Sequence, residues 1–270
     1  MSEMLSLREA LEALSAVESE EGVRVVYACE SGSRAWGFAS PDSDYDLRFL
    51  YVHHPRWYLS IAEKQRDVIE RPIVAGLDIS GWDLRKALCL YRRSNPPLME
   101  WLLSPIVYLD RFGVAQKMRQ LMAVYYSPTA ATYHYLHLAE GNYRRYLQGE
   151  EVWLKKYFYV LRPLLAVLWI EQERGAVPTD FGLLLEEVDI RAEVREAIQA
   201  LVEEKQRGAE LRHGPHQPTL DEFIVAELER WQASGVHHRR PSAPLGPLDE
   251  VFLSALWEVW GAVVNEWGTE

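Results

Sequence analysis

Two neighbouring segments decide how this chain folds: Glu30-Ser31-Gly32-Ser33-Arg34-Ala35-Trp36-Gly37 and Ser43-Asp44-Tyr45-Asp46-Leu47-Arg48. The second segment runs on into apolar residues 49–52, which predicts a strand buried on both faces with a polar leading end. Side chains alternate between the faces of a strand, so Asp44 and Asp46 are predicted to point the same way and can share a divalent cation. A bare Asp-x-Asp is more often a turn or a helix cap, and the motif alone does not define a metal site.

The first segment supplies a turn suited to binding phosphate. An apolar run at residues 23–27 predicts a strand that leads into it. Gly32 lets the backbone approach a phosphate, Ser33 offers an N–H and a hydroxyl, and a short helix after them directs its positive end at the anion. The predicted order is strand, Gly-Ser turn, short helix and acidic strand, and this order favours a nucleotide site over a plain turn.

The order of motifs resembles the DNA polymerase β-like nucleotidyltransferase superfamily, whose signature runs Gly-Ser, a spacer and then Asp-x-Asp on the next strand. Within it, the two quoted segments resemble predicted nucleotidyltransferases linked to RNA repair. The resemblance reaches from about residue 23 to about residue 165 through three further segments: Leu77-Asp78-Ile79-Ser80-Gly81-Trp82-Asp83-Leu84-Arg85-Lys86, Asn95-Pro96-Pro97-Leu98-Met99-Glu100-Trp101-Leu102 and Lys155-Lys156-Tyr157-Phe158-Tyr159-Val160-Leu161-Arg162-Pro163.

A third carboxylate is expected, because two-metal phosphoryl transfer needs ligands for one ion under the triphosphate and for another at the attacking hydroxyl. Asp78 follows a β-branched run that predicts a strand at residues 73–79, and the resemblance implies a third acid at this point. A strand-end hydrogen-bonding role is the alternative for Asp78. Asp83 competes, but it directly precedes a helical pattern and is predicted to cap that helix. The predicted catalytic and metal-binding residues are Asp44, Asp46 and Asp78.

The predicted nucleotide-binding residues are Gly32, Ser33, Arg34, Ser43 and Lys156. Arg34 can make a charge-assisted contact with the same phosphates, or it can be an exposed surface arginine. Lys156 belongs to an amphipathic helix with Trp153 and Val160 predicted inside, and it lies nearer that apolar face than Lys155 does. It can contact a phosphate or be a lysine whose stem covers apolar surface while its amine stays in water.

Composition limits the class of protein. The chain has 270 residues, is 48% hydrophobic and carries a net charge of −11, so it can bury a substantial core, and its overall charge disfavours a polyanion wrapped around the whole surface. Cys29 and Cys89 lie in apolar stretches and are predicted to be reduced and buried. Residues 1–9 have no basic leader, and the longest apolar stretch, residues 161–170, is interrupted by a charge and a proline. We predict no membrane span and a cytoplasmic location.

The periodicity changes after about residue 108. Before it, helices alternate with strands near residues 23–29, 45–53 and 73–79, and Ser6 with Glu9 forms a capping box for the first helix. After it, helical spacing predicts segments near 111–126, 129–148, 151–174, 190–211, 219–234 and 249–267, with a mobile loop from 235 to 247. We predict an α+β fold: a nucleotidyltransferase domain at 1–108, with a small mixed sheet and flanking helices, and a helical domain at 109–270.

Basic charge is concentrated at residues 111–165, which hold eight Lys and Arg against three Asp and Glu. With its interleaved tyrosines, this island can hold a triphosphate or a nucleic-acid end. Solvated helix faces and core aromatics explain the same pattern.

The sequence thus predicts an enzyme that uses Mg²⁺, or Mn²⁺ in its place, to move a nucleoside monophosphate from an NTP to an acceptor hydroxyl, releasing pyrophosphate. The resemblance implies an RNA end as the acceptor. Three alternatives stay open: an antitoxin-type enzyme that adenylylates a protein, an adenylyltransferase of the antibiotic-modifying kind, and a non-catalytic nucleotide-binding regulator, which the intact carboxylates argue against. The sequence leaves the NTP, the acceptor and the oligomeric state open.

Overall fold

The computed structural model describes residues 6–41, 43–61, 66–207, 213–234 and 243–264, and within them the chain forms two compact units. The first unit takes in the described residues of Met1–Ala35, Asp44–Tyr125 and Ser242–Glu270, and the second those of Trp36–Ser43 and Tyr126–Pro241. Compactness alone does not establish an independently folding domain. The domains 1–108 and 109–270 therefore remain a prediction.

A five-stranded mixed sheet organises the first unit. Its strands are β1 (Val23–Glu30), β2 (Tyr45–His53), β3 (Val68–Glu70), β4 (Leu77–Asp83) and β5 (Val107–Asp110), in the spatial order β3-β4-β2-β1-β5. Strands β2 and β4 pair in parallel, and the other neighbours are antiparallel. Every residue of β1 except Arg24 is buried, as its apolar run predicts. The predicted α+β class with a small mixed sheet is confirmed.

The third predicted strand is displaced along the sequence. It was expected at residues 73–79, whereas β4 begins at Leu77. The reason is a turn: Ala75 and Gly76 adopt left-handed backbone angles, with φ of 50° and 75°, and Val74 pairs back with Leu77. A non-glycine residue in that region is uncommon, so the alanine gave no signal of a turn.

Helices flank the sheet in the first unit: α1 (Leu7–Glu21), α2 (Gly32–Ala35), α3 (Pro55–Tyr58), α4 (Leu84–Arg92), α5 (Pro96–Leu102), α6 (Val114–Gln120) and α7 (Met122–Tyr125). The capping box of α1 is confirmed, since Ser6 N donates to Glu9 Oε2 at 2.8 Å and Glu9 N to Ser6 Oγ at 3.2 Å. The capping role of Asp83 is confirmed by a 2.9 Å bond from Arg85 N. Cys29 is buried as predicted, but Cys89 is exposed because it lies on the solvent face of α4.

The second unit is built from α8 (Pro128–Tyr146), α9 (Leu154–Glu171), α10 (Phe181–Glu187), α11 (Ala192–Gln206) and α12 (Pro218–Ser234). Most side chains of α9 between residues 157 and 170 are buried, so this helix supplies much of the unit's core. The unit also contains a short antiparallel ladder, β6 (Val152–Trp153) with β7 (His213–Gly214).

The last helix, α13 (Gly246–Val264), belongs to the first unit. Lys117 on α6 donates from Nζ to Ser254 Oγ on α13 at 2.7 Å, and Arg92 donates from Nε to the carbonyl of Ala243 at 2.8 Å. Residues 235–242 of the loop predicted to be mobile lie outside the described residues. Among the helices of the described residues, none is long and apolar enough to cross a membrane.

Candidate active site

The turn between β1 and β2 lies directly against the acidic strand. Gly32 begins α2 with φ of 59°, and Ser31 N donates to the carbonyl oxygen of Asp46 at 2.9 Å. A Cβ on residue 32 would lie 2.9 Å from Asp46 Cγ and would overlap with Asp46 Oδ2. The left-handed backbone angle and the closeness of the Asp46 carboxylate therefore both favour glycine at this position.

Parallel strand pairing brings Asp46 and Asp78 together. The two residues are register partners on β2 and β4, and their side chains are 26% and 30% exposed. Because partners in register project to the same face of a sheet, the two carboxylates lie side by side at one edge of a half-buried surface.

Arg48 lies between these two carboxylates, and the sequence reasoning did not single it out. Its Nη2 donates to Asp46 Oδ1 at 2.9 Å and to Asp78 Oδ2 at 2.7 Å, while its Nη1 donates to the carbonyl oxygen of Asp78 at 3.1 Å. The available signal was its position two residues after Asp46, which places both side chains on one face of β2.

Asp44 lies just outside the strand. We expected it to share the strand with Asp46, but β2 begins at Tyr45, whose N–H donates to the carbonyl of Gly76 at 2.7 Å. The Asp44 side chain is exposed, and its Oδ1 would be 3.3 Å from a Cβ on Gly76. Asp44 therefore faces the turn that precedes β4, and its part in a metal site stays a prediction.

Glu30 is a second residue that the sequence reasoning missed. It is fully buried at the end of β1, where its Oε1 accepts the Asp46 N–H at 2.8 Å and its Oε2 accepts the Tyr108 hydroxyl at 2.6 Å. Burial raises the pKa of the Glu30 carboxyl, against the opposing effect of these hydrogen bonds. Glu30 thus fixes the backbone that carries Asp46. In the sequence, Glu30 is an acid that directly follows the apolar residues 25–29.

The predicted nucleotide-binding residues Ser33, Arg34 and Ser43 have structural surroundings of their own. Ser33 is half-buried on α2. Arg34 donates from Nε to the carbonyl of Asp44 at 3.2 Å, and its guanidinium carbon lies 3.6 Å from the centroid of the Tyr45 ring. Ser43, described within the second unit, accepts the Ser40 N–H at 2.9 Å and so closes a tight turn. Phosphate contact by these residues remains a proposal.

Lys156 lies in the second unit among aromatic rings. Its Nζ is 4.3 Å from the Tyr159 ring centroid and 4.6 Å from that of Tyr146. Burial of the ammonium, together with nearby positive charge, lowers the pKa of Lys156. Lys156 is half-buried and Lys155 exposed, as helical spacing predicts, but Trp153 was expected inside and is 43% exposed because it precedes α9 on β6.

The carboxylate pair suits a divalent cation. Carboxylate oxygens are the ligands that Mg²⁺ prefers, and the contacts of Arg48 show that an oxygen of Asp46 and an oxygen of Asp78 can converge on one cationic group. Within the part of the chain that the structure describes, no cluster of three or more His, Cys, Asp or Glu side chains is close enough to hold a metal ion. The pair therefore fits a metal, and the complete triad with Asp44 is not assembled here.

A mixed sheet, a Gly-Ser turn packed on the acidic strand and paired carboxylates on adjacent strands define a polymerase β-like nucleotidyltransferase. Comparison with known proteins agrees: residues 7–254 match the family described as "RlaP: RNA repair pathway DNA polymerase beta family". The chain belongs to this family, and it is a nucleotidyltransferase.

Two individual proteins are also similar. The chain is 46% identical over 251 residues to "Uncharacterized protein YcgL" of Bacillus subtilis (strain 168), covering 93% of this chain and 96% of that protein. A solved nucleotidyltransferase-like protein from Exiguobacterium sibiricum 255-15 aligns over 92% of this chain and 90% of its own, with 11% identity and a TM-score of 0.30. At that TM-score, the likeness does not by itself establish a shared fold.

Proposed function

We propose that this enzyme transfers a nucleoside monophosphate from an NTP to a hydroxyl at an RNA end, using a divalent metal ion held by Asp44, Asp46 and Asp78. The observation that carries the proposal is the register pairing of Asp46 with Asp78 beside a turn whose left-handed Gly32 packs against the Asp46 carboxylate. Mg²⁺, or Mn²⁺ in its place, would supply charge neutralisation at the transferred phosphoryl group when bound.

The protein's own groups divide the remaining work. Gly32 and Ser33 offer backbone and hydroxyl donors to the β- and γ-phosphates, and Arg34 adds positive charge beside them. The acceptor oxygen attacks the α-phosphorus, the bond from that phosphorus to the bridging oxygen breaks, and pyrophosphate leaves. Asp78, whose carboxylate is paired with Arg48, accepts the proton of the attacking hydroxyl.

RNA as the acceptor is supported by the family description and by a surface on the second unit. Tyr146 and Trp153 stack with their ring planes 6° apart, and Arg145 and Lys156 lie over the Tyr146 ring at 5.2 and 4.6 Å. Lys155, which directly precedes Lys156 on α9, is exposed. Stacked aromatic rings beside cations are typical of single-stranded nucleic-acid binding, because every base can stack and every phosphate is negative. We call Arg145, Tyr146, Trp153, Lys155 and Lys156 the aromatic-basic surface.

Transfer of label from each α-labelled NTP to an RNA end, a protein or an aminoglycoside, with Mg²⁺ or Mn²⁺, tests the proposal. We expect RNA labelling by the wild type and none by Asp44→Asn or Asp46→Asn, with thermal unfolding nearly unchanged because asparagine keeps the size of the side chain and an oxygen that accepts hydrogen bonds. Asp78→Asn should bind NTP but turn over slowly. Asp110→Asn, which alters an acid of β5, is the matched control and should transfer normally.

Labelling of protein or aminoglycoside in place of RNA would overturn the RNA assignment and leave nucleotidyl transfer intact. NTP binding without any transfer would indicate a nucleotide-binding regulator. Loss of folding in the Asp46→Asn protein would assign that residue a structural role.

The aromatic-basic surface has its own test, a salt titration of RNA affinity. Arg145→Ala with Lys155→Ala should weaken RNA binding and reduce the slope of log affinity against log salt by about 0.7 for each phosphate that the variant no longer neutralises. Arg144→Ala is the control, because Arg144 is already paired with Glu140 on the same helix. Identical slopes for wild type and double variant would remove this surface from RNA binding.

A further inference from the structure

Arg48 makes the contacts with Asp46 and Asp78 that a metal ion would make. One guanidinium nitrogen, Nη2, contacts an oxygen of each carboxylate at 2.9 and 2.7 Å. Arg48 is 17% exposed, which is less than either of its partners, so water screens these contacts only partly. A cation of the chain's own therefore neutralises the pair.

The strand register fixes this arrangement. Arg48 shares a face of β2 with Asp46. Its register partner on β4 is Ser80, and its side chain reaches Asp78, two residues before Ser80 on the same strand. A further bond from Nη1 to the main-chain oxygen of Asp78, at 3.1 Å, ties the guanidinium to β4 itself. Without this charge, two carboxylates side by side would repel each other.

An incoming metal ion meets two obstacles at this pair. Asp46 Oδ1 and Asp78 Oδ2 already accept bonds from Arg48, and the fixed positive charge repels a second cation at short range. A nucleotide triphosphate carries enough negative charge to offset that repulsion. An ion that arrives with its nucleotide would therefore meet less repulsion than the ion alone.

We propose that Arg48 is a positioning residue that holds Asp46 and Asp78 together in the metal-free enzyme and weakens binding of a divalent ion until an NTP is present. This inference rests on the proposed metal site. Arg48 is then the cationic partner of Asp46 and Asp78 when no metal is bound, and the affinity of the site for a metal ion depends on bound nucleotide.

Mn²⁺ binding to the full chain, measured by the loss of the free-ion signal in electron paramagnetic resonance, tests the inference without catalysis. In the absence of nucleotide, Arg48→Met should bind Mn²⁺ about tenfold or more tightly than the wild type, because the competing charge is gone. With a non-hydrolysable NTP analogue the difference should fall to about threefold or less. Arg48→Lys keeps the charge and should stay near the wild type.

Arg71→Met is the matched control, since Arg71 on the same unit also pairs from one nitrogen with two carboxylates, those of Glu20 and Glu21, at 2.7 and 3.1 Å. Its Mn²⁺ affinity should equal that of the wild type. In chelator, Arg48→Met should unfold at a lower temperature than the wild type, and added Mn²⁺ should remove that difference. Arg48→Gln, which is also neutral, gives the same measurement if the methionine variant does not fold.

Equal or weaker Mn²⁺ binding by the neutral Arg48 variants would overturn the inference. Asp46→Asn separates that outcome from failure of the metal site itself. If Asp46→Asn abolishes Mn²⁺ binding in the presence of the analogue while neutral Arg48 variants match the wild type, only the role of Arg48 fails. If Asp46→Asn binds Mn²⁺ normally with the analogue, the proposed metal site fails.

Discussion

Replacing Gly32 by alanine should disable the enzyme through one added methyl group. Two effects combine in Gly32→Ala. The backbone angle of +59° is left-handed, which costs a residue with a side chain about 1–2 kcal/mol. The new Cβ would also overlap with the Asp46 carboxylate, and relieving such a collision costs about 1–3 kcal/mol more. We expect a loss of about 2–5 kcal/mol in the free energy of unfolding.

Gly22→Ala is a matched control on the same unit. Gly22 has φ of +64°, and a Cβ there would meet nothing within 4 Å. It therefore carries the left-handed strain of about 1–2 kcal/mol without the collision. Both variants are measured by denaturant unfolding and by nucleotide transfer per folded molecule. Gly22→Ala should transfer normally, whereas Gly32→Ala should lose about 100-fold or more, because a shift of about 1 Å in a catalytic group has that effect.

A double-mutant cycle isolates the collision. Adding Asp46→Ala to Gly32→Ala removes the carboxylate atoms that the new methyl group meets. The double variant should therefore lose less stability than the sum of the losses of the two single variants. The reasoning is refuted if Gly32→Ala and Gly22→Ala lose the same stability and keep the same activity, or if the cycle gives no coupling.

Three further predictions concern residues outside the turn. Burial lowers the pKa of Lys205 to about 8, below its ordinary value in the unfolded chain, so the free energy of unfolding should rise as pH increases from about 8 to about 10.5. Lys205→Met should remove this rise and stabilise the protein by about 1–3 kcal/mol at pH 7. If the wild type and Lys205→Met have the same free energy of unfolding at both pH 7 and pH 10, the prediction is wrong. Nε2 of His216 donates a hydrogen bond to the carbonyl of Gly149, and this bond is the main reason that the pKa of His216 is raised. The contribution of His216 to the free energy of unfolding should be present below pH 6.5 and lost as pH rises through the raised pKa. In His216→Gln, the free energy of unfolding should depend less on pH across that range. Asp83→Ala removes a cap and the acceptor of the Tyr58 hydroxyl and should cost about 2–3 kcal/mol, yet transfer per folded molecule should persist; loss of transfer at full stability would make Asp83 the third acid.

Local patterns predicted most of the elements. The apolar run of β1, the capping box at Ser6 and the cap at Asp83 each depend on neighbouring residues, and all are confirmed. The start of β4 was misplaced, because the turn before it uses a left-handed alanine where the sequence pattern favours glycine. The return of α13 to the first unit has no local signal, since the contact of Lys117 with Ser254 joins distant parts of the chain.

In the candidate site too, the sequence predicted which residues matter but not the contacts that they make. Residue types and spacing singled out Asp46, Asp78 and Gly32, but not the contacts among them, because those contacts depend on the parallel register of β2 with β4 and on the turn that packs against β2. Arg48 was missed for this reason. From sequence it is one more charge at a strand end, and only the register reveals that its guanidinium lies between two acids from different strands. An acid pair with its own cation needs no metal to be stable, so the paired arrangement of Asp46 and Asp78 can exist before a metal ion or a nucleotide binds.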